Sequence, residues 1–478
     1  MGHSELVSEE IAQFLQNHPV SWGLHSYSPP LTSYDEYWRE DPSVREKRDQ
    51  LIQNLRFSGR YVETTREVRE QYERHQPPLY YLVSAPIFAM AARSLSFVDT
   101  YLAVRLWSVL LASLTVPGAF FLATGMFGDR PWAKSILLLT VVFPGVYPGV
   151  IRVANDALAV PIAAWMLACL IHFLRTKRLG FLIGASVLLA AGLWTKAFFI
   201  PLLIATLLTL WILRYFRHSI IMLLIASSGA VWYVYNLQLT GSVTGLPETV
   251  TSGSSTASSI EALWKLDWSN IVHVVRFSHI WVGNWSFLNV RGWMYRVISW
   301  LFIAGVSGCC LSWRSGAQPR ALFALIANYV FFLGALLYYA TQVFQDTGTS
   351  VAEGWYLTLL VPAEAVLFAA GVRSFFPRRW PAAVAVFGFF LLALNVYANF
   401  FVMFPYYAGI TAHAESGHLE TYPPAINDLS IIPERLLRFH QWLPPLVPLL
   451  LIATFVAASL WLTFTLFFSR VGNRSQPA

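Results

Sequence analysis

Four short stretches hold residue types that could do chemistry at a membrane surface. In His75-Gln76-Pro77-Pro78-Leu79-Tyr80-Tyr81, an apolar segment begins directly behind Glu73, Arg74 and His75. The prolines fit an ordinary helix start, where the missing N–H would be unpaired anyway. They do not account for the titratable cluster, which suits a polar head group. In Val153-Ala154-Asn155-Asp156-Ala157, Asn155 or Asp156 could simply cap the next helix. Ser or Thr would cap equally well, and an ionised Asp156 near the bilayer, beside Arg152, is costly unless it has a task. Lys196, in Leu193-Trp194-Thr195-Lys196, is the only Lys or Arg between Arg178 and Arg214. It could snorkel or meet the helix C-terminus, but a fixed cation there also suits a lipid phosphate. Glu353-Gly354-Trp355-Tyr356-Leu357 opens a further helix, with Trp355 and Tyr356 as interface anchors or site residues. Arg105 and Glu364 lie within apolar segments, where each needs a partner or water; they are either one structural ion pair or two separate features.

Weaker signals surround these. The 238–293 segment carries Trp264, Trp268, Trp281, Trp285 and Trp293, whose flat apolar faces suit sugars or lipid tails and suit interface anchoring equally. His413 and His418, with Glu415 and Glu420, are spaced too loosely for a strong metal reading. Cys169, Cys309 and Cys310 all sit in apolar segments, so no disulfide framework or CxxC site is present. The chain also has no Gly-rich phosphate loop, no GxSxG and no HExxH.

These residues must be positioned by membrane helices. Of 478 residues, 56% are hydrophobic and 12% charged, against about 25% charged in soluble domains. The first 77 residues hold 22 of the 59 charges. The rest would leave too much apolar surface in water, which excludes a soluble enzyme, a nucleic-acid-binding module and a disordered scaffold. Apolar stretches fall at about 78–97, 101–127, 134–151, 155–174, 179–195, 197–213, 219–237, 294–313, 320–341, 354–372, 380–404 and 443–469. The reading is an all-α polytopic membrane protein with about 11 transmembrane helices, an interfacial helix over 78–97, and large external loops.

Positive charge sets the direction. The connections around Arg130, Arg175–Arg178, Arg214–Arg217, Arg314–Arg320 and Arg373–Arg379, with the C-terminal tail, hold 14 basic residues and one acidic residue, Asp129. They are expected in the cytoplasm of a bacterial inner or plasma membrane. The net charge of +7 then reports topology, not a nucleic-acid partner. The expected organisation is 1–77, a first external loop of amphipathic helices that is N-terminally incomplete; 78–237, a membrane module; 238–293, an external loop; 294–404, C-terminal membrane helices; 405–442, an external loop; and 443–478, a last transmembrane helix and cytoplasmic tail. An external 1–77 needs a preceding apolar helix to carry it across, so one more helix is expected ahead of Met1.

Taken in order, His75-Gln76-Pro77-Pro78-Leu79-Tyr80-Tyr81, Arg105, Asn155-Asp156-Ala157 and Thr195-Lys196 resemble the polytopic C-type glycosyltransferases, which include the protein O-mannosyltransferases and aminoarabinose transferases. Gly354-Trp355-Tyr356-Leu357 resembles them more faintly. The resemblance is clearest over about 60–215. It implies an inverting transfer from a polyprenyl-phosphate-linked sugar to a lipid, glycan or protein acceptor of the cell envelope. It implies roles for Asp156 as a carboxylate near the acceptor or a divalent metal, Lys196 at the lipid phosphate, and His75 or Gln76 in place of a basic residue. Tyr80, Arg105, Arg152, Asn155, Trp355 and Tyr356 are expected in the same substrate site. In the family an acidic pair followed by His comes just after the first transmembrane helix. Here His3 resembles that His, with the pair cut off upstream, so the chain as given is expected to lack its catalytic carboxylate and to be inactive. Glu5, Glu9 and Glu10 are poorer stand-ins; a helix starting there would put Glu5 and Glu9 on one face. Asp35 and Glu36 are adjacent acids in surroundings that do not match.

Overall fold

A computed structural model describes residues 6–22, 31–63, 75–127, 130–245, 256–283, 288–314 and 318–469. His3 and Glu5 lie outside these. Apolar composition makes helix the only open-chain way to satisfy backbone polar groups in lipid, and among the described residues the regular elements are helices apart from two short strands. Among the described residues, eight helical spans are long and apolar enough to cross a membrane. Arg130–Val142, Leu179–Leu193, Phe199–Ile212 and Leu79–Ala92 are shorter apolar helices. The all-α polytopic architecture is therefore as expected from sequence. Leu79–Ala92 has 14 residues, roughly 21 Å at 1.5 Å per residue against a hydrocarbon core of about 30 Å.

Prolines divide two of the expected spans. The 101–127 stretch folds as Phe97–Ser113 and Thr115–Met126, because Pro117 cannot donate to the Ser113 carbonyl and its ring crowds it. Trp165 Nε1 donates to the Leu114 carbonyl at this break, 2.9 Å away. The seam against Asp156–Thr176 continues along small residues. A Cβ on Gly118 would lie 3.0 Å from Trp165, and one on Gly125 would lie 2.9 Å from His172. The 134–151 stretch breaks after Val142, since Pro144 disfavours helical backbone at Phe143, and Asn395 Nδ2 caps the freed Val142 carbonyl at 2.7 Å. A one-turn helix, Val146–Val150, then delivers the chain to residues 152–155.

The segments outside the bundle pack on one another. Strands Leu6–Ser8 and Tyr61–Glu63 pair antiparallel, with Val7 opposite Val62, and enclose helices Glu9–Asn17, Tyr34–Arg39 and Pro42–Asn54. Residues 6–8 are a strand, so the helix begins at Glu9, while Glu5 lies outside the described residues. Glu10 is buried and accepts from Ser8 Oγ at 2.6 Å and from Ser58 N. Burial works to raise its pKa, but the hydrogen bonds from Ser58 and Ser8 outweigh it and hold the carboxyl at about 2. His18 lies between Phe14 and Phe439; burial, with the nearby Arg438 charge, lowers its pKa to about 3.

Asp35 joins this N-terminal segment to the 405–442 segment. It accepts from the His413 backbone N–H at 2.6 Å and from Tyr406 Oη at 3.0 Å, and lies 3.0 Å from His413 Nδ1. Trp38 Nε1 donates to the Tyr407 carbonyl at 3.2 Å. Glu36 completes a capping box with Ser33. Both acids of the adjacent pair thus serve the fold, and His413 is engaged by Asp35 and stacked on Trp22.

Candidate functional site

The polar residues singled out in the membrane module converge on one cavity of about 800 Å³ at the ends of the helices. His75, Gln76, Arg152, Asn155, Asp156, Lys196, Trp355 and Tyr356 all line it.

Its floor is the start of the Asp156–Thr176 helix. Asn155 occupies the N-cap position with helical backbone, and its side chain makes no capping bond. Its Nδ2 instead donates to Gln76 Oε1 at 3.0 Å and to the Thr195 carbonyl at 3.1 Å. One buried amide therefore ties together three segments separated by 79 and 40 positions. Asp156 follows and forms an ion pair with Lys196. The Lys196 side chain is 7% exposed and that of Asp156 is 18% exposed, so neither the capping nor the snorkelling explanation holds. Gly149 permits this approach, since a Cβ there would meet Asp156 Cβ at 3.2 Å.

Lys196 sits just past the Leu179–Leu193 helix, with its backbone N–H bonded to the Gly192 carbonyl at 2.8 Å. Its ammonium lies 5.3 Å from the Tyr356 ring centroid and 5.5 Å from that of Phe198. Ring faces attract a cation within about 6 Å. A buried ammonium is thus held by one carboxylate and two aromatic faces, at the edge of a space large enough for a ligand.

A further wall comes from the 3₁₀ turn Gly354–Leu360. Trp355 stacks on Trp281, with centroids 4.5 Å apart. This fixes one tryptophan of the 238–293 segment as part of the wall's support. Above the floor, Gln76 Nε2 lies 3.1 Å from His75 Nε2. The His75 carbonyl accepts from Trp232 Nε1 at 2.9 Å and from Asn236 Nδ2 at 3.2 Å.

Two expected site residues stand behind the cavity. Tyr80 is fully buried and bonded to Ser108 Oγ at 2.7 Å, so it joins two helices. Its neighbour Tyr81 lines the cavity instead, since successive helical side chains diverge by about 100°. Arg105 also does not line it; its Nε donates to the Ile151 carbonyl at 2.8 Å and braces the turn that carries Arg152. Nor does Arg105 pair with Glu364, whose Oε2 lies 3.2 Å from His279 Nε2 within the bundle. Sequence reasoning missed Tyr101, Phe198, Tyr338, Tyr339 and Gln342. Tyr338-Tyr339 near the end of a long apolar helix was a readable aromatic-belt signal; the others carried none.

Asp156 is engaged by Lys196, and among the described residues no three His, Cys, Asp or Glu side chains gather to hold an ion.

Comparison with curated proteins gives no match. Among solved structures, the chain is similar to ArnT from Cupriavidus metallidurans. Against its apo form, identity is 16% and the TM-score 0.42, covering 82% of this chain and 66% of that one, just under two thirds of its length. Against ArnT bound to undecaprenyl phosphate, identity is 14% and the TM-score 0.43, covering 96% and 75%. The sequence profile of the family described as dolichyl-phosphate-mannose-protein mannosyltransferase matches residues 75–235. That segment contributes His75, Gln76, Arg152, Asn155, Asp156 and Lys196 to the cavity, and over it the resemblance to the polytopic C-type glycosyltransferases is borne out.

Proposed function

We propose that this chain is a membrane glycosyltransferase that moves a sugar from a polyprenyl-phosphate donor to a lipid, glycan or protein acceptor of the cell envelope. One observation carries the reading. The Lys196 ammonium is fixed by Asp156 at the wall of an aromatic-lined cavity at the helix ends, inside the segment that matches the mannosyltransferase family. A phosphate leaving group carries its negative charge most fully as the glycosidic bond breaks. A preset cation therefore stabilises the transition state more than the ground state. Asp156 keeps the ammonium in place. Asn155, through Gln76 and the Thr195 carbonyl, sets the spacing between the carboxylate and the lysine. Arg152 adds a second cation to the lining, and Trp355 and Tyr356 offer ring faces to the sugar or the first isoprene units.

The excess of basic residues in the opposite connections supports an external cavity and a cytoplasmic C-terminus. A cysteine introduced near residue 50 tests this by its reaction with an impermeant label in intact cells; protection there, with labelling after lysis, would reverse the orientation.

The functional test is mass spectrometry of envelope glycans, glycolipids and glycoproteins from cells with and without the gene, and with Asp156→Asn or Lys196→Ala. A sugar-bearing product is expected only with the wild-type gene, with product normalised to the amount of each variant found in the membrane. Wild-type product levels from both variants would sink the assignment.

A further inference from the structure

Trp264 is 81% exposed and Ile260 is 56% exposed, both on the helix Thr256–Lys265 outside the bundle. In water such a side is normally polar. Successive residues turn by about 100° around a helix, so this one divides into three sectors. Ser259, Ala262 and Leu263, with Leu266 just past the end, form the sector that packs on the protein; Leu263 is half-buried and the others are buried. Ile260 and Trp264 form the second. Glu261 and Lys265 form the third and pair with each other at 2.6 Å, both exposed. A helix with one protein-facing side, one apolar side and one ion-paired side suits a boundary between lipid and water.

The apolar edge continues past a corner. Asp267 caps the next helix, Trp268–Ile280, by accepting from Ser269 N at 3.0 Å and from Asn270 N at 3.1 Å. On that helix Trp268 and Val272 stand exposed, one turn apart. Large apolar side chains thus stand exposed at intervals of four, at 260, 264, 268 and 272. Trp281, at the far end, is buried against Trp355; Trp264 and Trp268 serve no such wall.

The neighbours of this element fix its height. Gln342 Nε2 donates to Ser259 Oγ at 3.1 Å. Gln342 stands about 35 Å along Pro319–Thr347 from its first residue, at 1.5 Å per residue, against a hydrocarbon core of about 30 Å. Thr256–Lys265 therefore lies at head-group level. The face of the span that leads up to Gln342 carries Phe331, Gly334 and Tyr338, all exposed, as a lipid-facing strip is. Gln342 itself is buried, so the strip ends where Thr256–Lys265 covers it. Asp267 N donates to Ser350 Oγ at 2.9 Å, and Asn270 Nδ2 donates to the Ser350 carbonyl at 2.7 Å, which ties the corner to the chain just beyond the same span. Tyr338 and Gln342 also line the cavity, so the element sits at the cavity rim.

We propose that this two-helix element is a membrane-docking surface. Ile260, Trp264, Trp268 and Val272 enter the head-group layer of the bilayer, while the Glu261–Lys265 pair stays in water. The partner is zwitterionic phospholipid. Lys265 is the only basic residue of its helix and is already paired with Glu261, so seating draws on apolar burial and on indole rings, which favour this layer, and not on anionic head groups. The surface continues the lipid contact of the Pro319–Thr347 span, whatever reaction the cavity performs.

The test places the photo-cross-linker benzoylphenylalanine, one position at a time, in place of Ile260, Glu261, Trp264 or Lys265 in the full chain. All four positions are exposed, so the packed sector is left intact. Each protein is put in phosphatidylcholine nanodiscs, illuminated and weighed intact by mass spectrometry. Phospholipid adducts at 260 and 264 are expected at about fivefold or more the yield at 261 and 265. Equal yields at the four positions, or no adduct at 264, would overturn the proposal. Cross-linked dimers from 264 in place of lipid adducts would also overturn it and make the face a contact between copies of the chain. Adding phosphatidylglycerol is expected to change the yields at 260 and 264 by less than about twofold; a larger rise would overturn the choice of zwitterionic lipid.

Discussion

Removing one partner of the Asp156–Lys196 pair should expose how the site stores its charge. Lys196→Met leaves a carboxylate that is only 18% exposed, and Asp156→Asn leaves an ammonium that is 7% exposed. Breaking a buried pair from one side costs about 3–5 kcal/mol, because the remaining charge stays desolvated. The more deeply buried lysine puts Asp156→Asn toward the upper end. Removing both charges abolishes that penalty, so the double variant should be less destabilised than the sum of the single variants by about 2–3 kcal/mol. The assay is equilibrium unfolding in mixed micelles, read by tryptophan fluorescence, across the four proteins of the cycle. Undecaprenyl phosphate gives a second axis. A ligand at 100 times its Kd stabilises a folded protein by about 2.7 kcal/mol, and this increment should appear in wild type and vanish in Lys196→Met. Single variants within about 0.5 kcal/mol of wild type, or strictly additive costs, would refute the view of the pair as a buried and coupled device. An undiminished lipid increment in Lys196→Met would refute its role at the phosphate.

Two further outcomes follow, one from packing at this site and one from protonation in the N-terminal segment. Gly354→Ala should destabilise by about 1–3 kcal/mol through overpacking, because its Cβ would meet the Val275 carbonyl oxygen and the His279 backbone nitrogen. It should also weaken undecaprenyl phosphate binding as Tyr356 shifts; unchanged unfolding and binding would show the turn to be free to move. The N-terminal segment should loosen in acid. The His18 pKa is lowered from 6.5 to about 3, so the unfolded segment binds a proton first, and the stability present above pH 6.5 is lost as pH falls toward 3. Glu10, lowered from 4.5 to about 2, adds a loss in the same direction between those values. Limited proteolysis of the 6–63 region at pH 7, 5 and 4 reads this, with His18→Gln removing the earlier phase; equal protection at all three pH values in wild type would contradict it.

The sequence alone determined what solvent chemistry dictates. Long apolar runs must be membrane helices, and a polar residue in or beside such a run stands out because lipid makes it expensive. Asn155, Asp156 and Lys196 were visible for that reason, as were His75, Gln76, Trp355 and Tyr356 through their order along the chain. Local geometry was only half visible. Pro117 and Pro144 could be read as helix disturbers, but the carbonyls at the two breaks, of Leu114 and Val142, meet Trp165 and Asn395, 51 and 253 positions away.

Pairing was decided only by the tertiary structure. Tyr80 and Tyr81 are identical in type and adjacent in sequence, yet one joins two helices and the other lines the cavity. Arg105 and Glu364 looked like partners because each was a charge in an apolar run, but Ile151 and His279 took those places. Glu353 read as the flank of an aromatic anchor until Gly354, pressed onto the Val275 carbonyl, fixed its backbone at the cavity wall. A residue's cost in lipid is a property of its own side chain and its neighbours along the chain, so sequence reports it. Which partner relieves that cost depends on which helix ends meet in space, and that is set by packing among segments far apart in sequence.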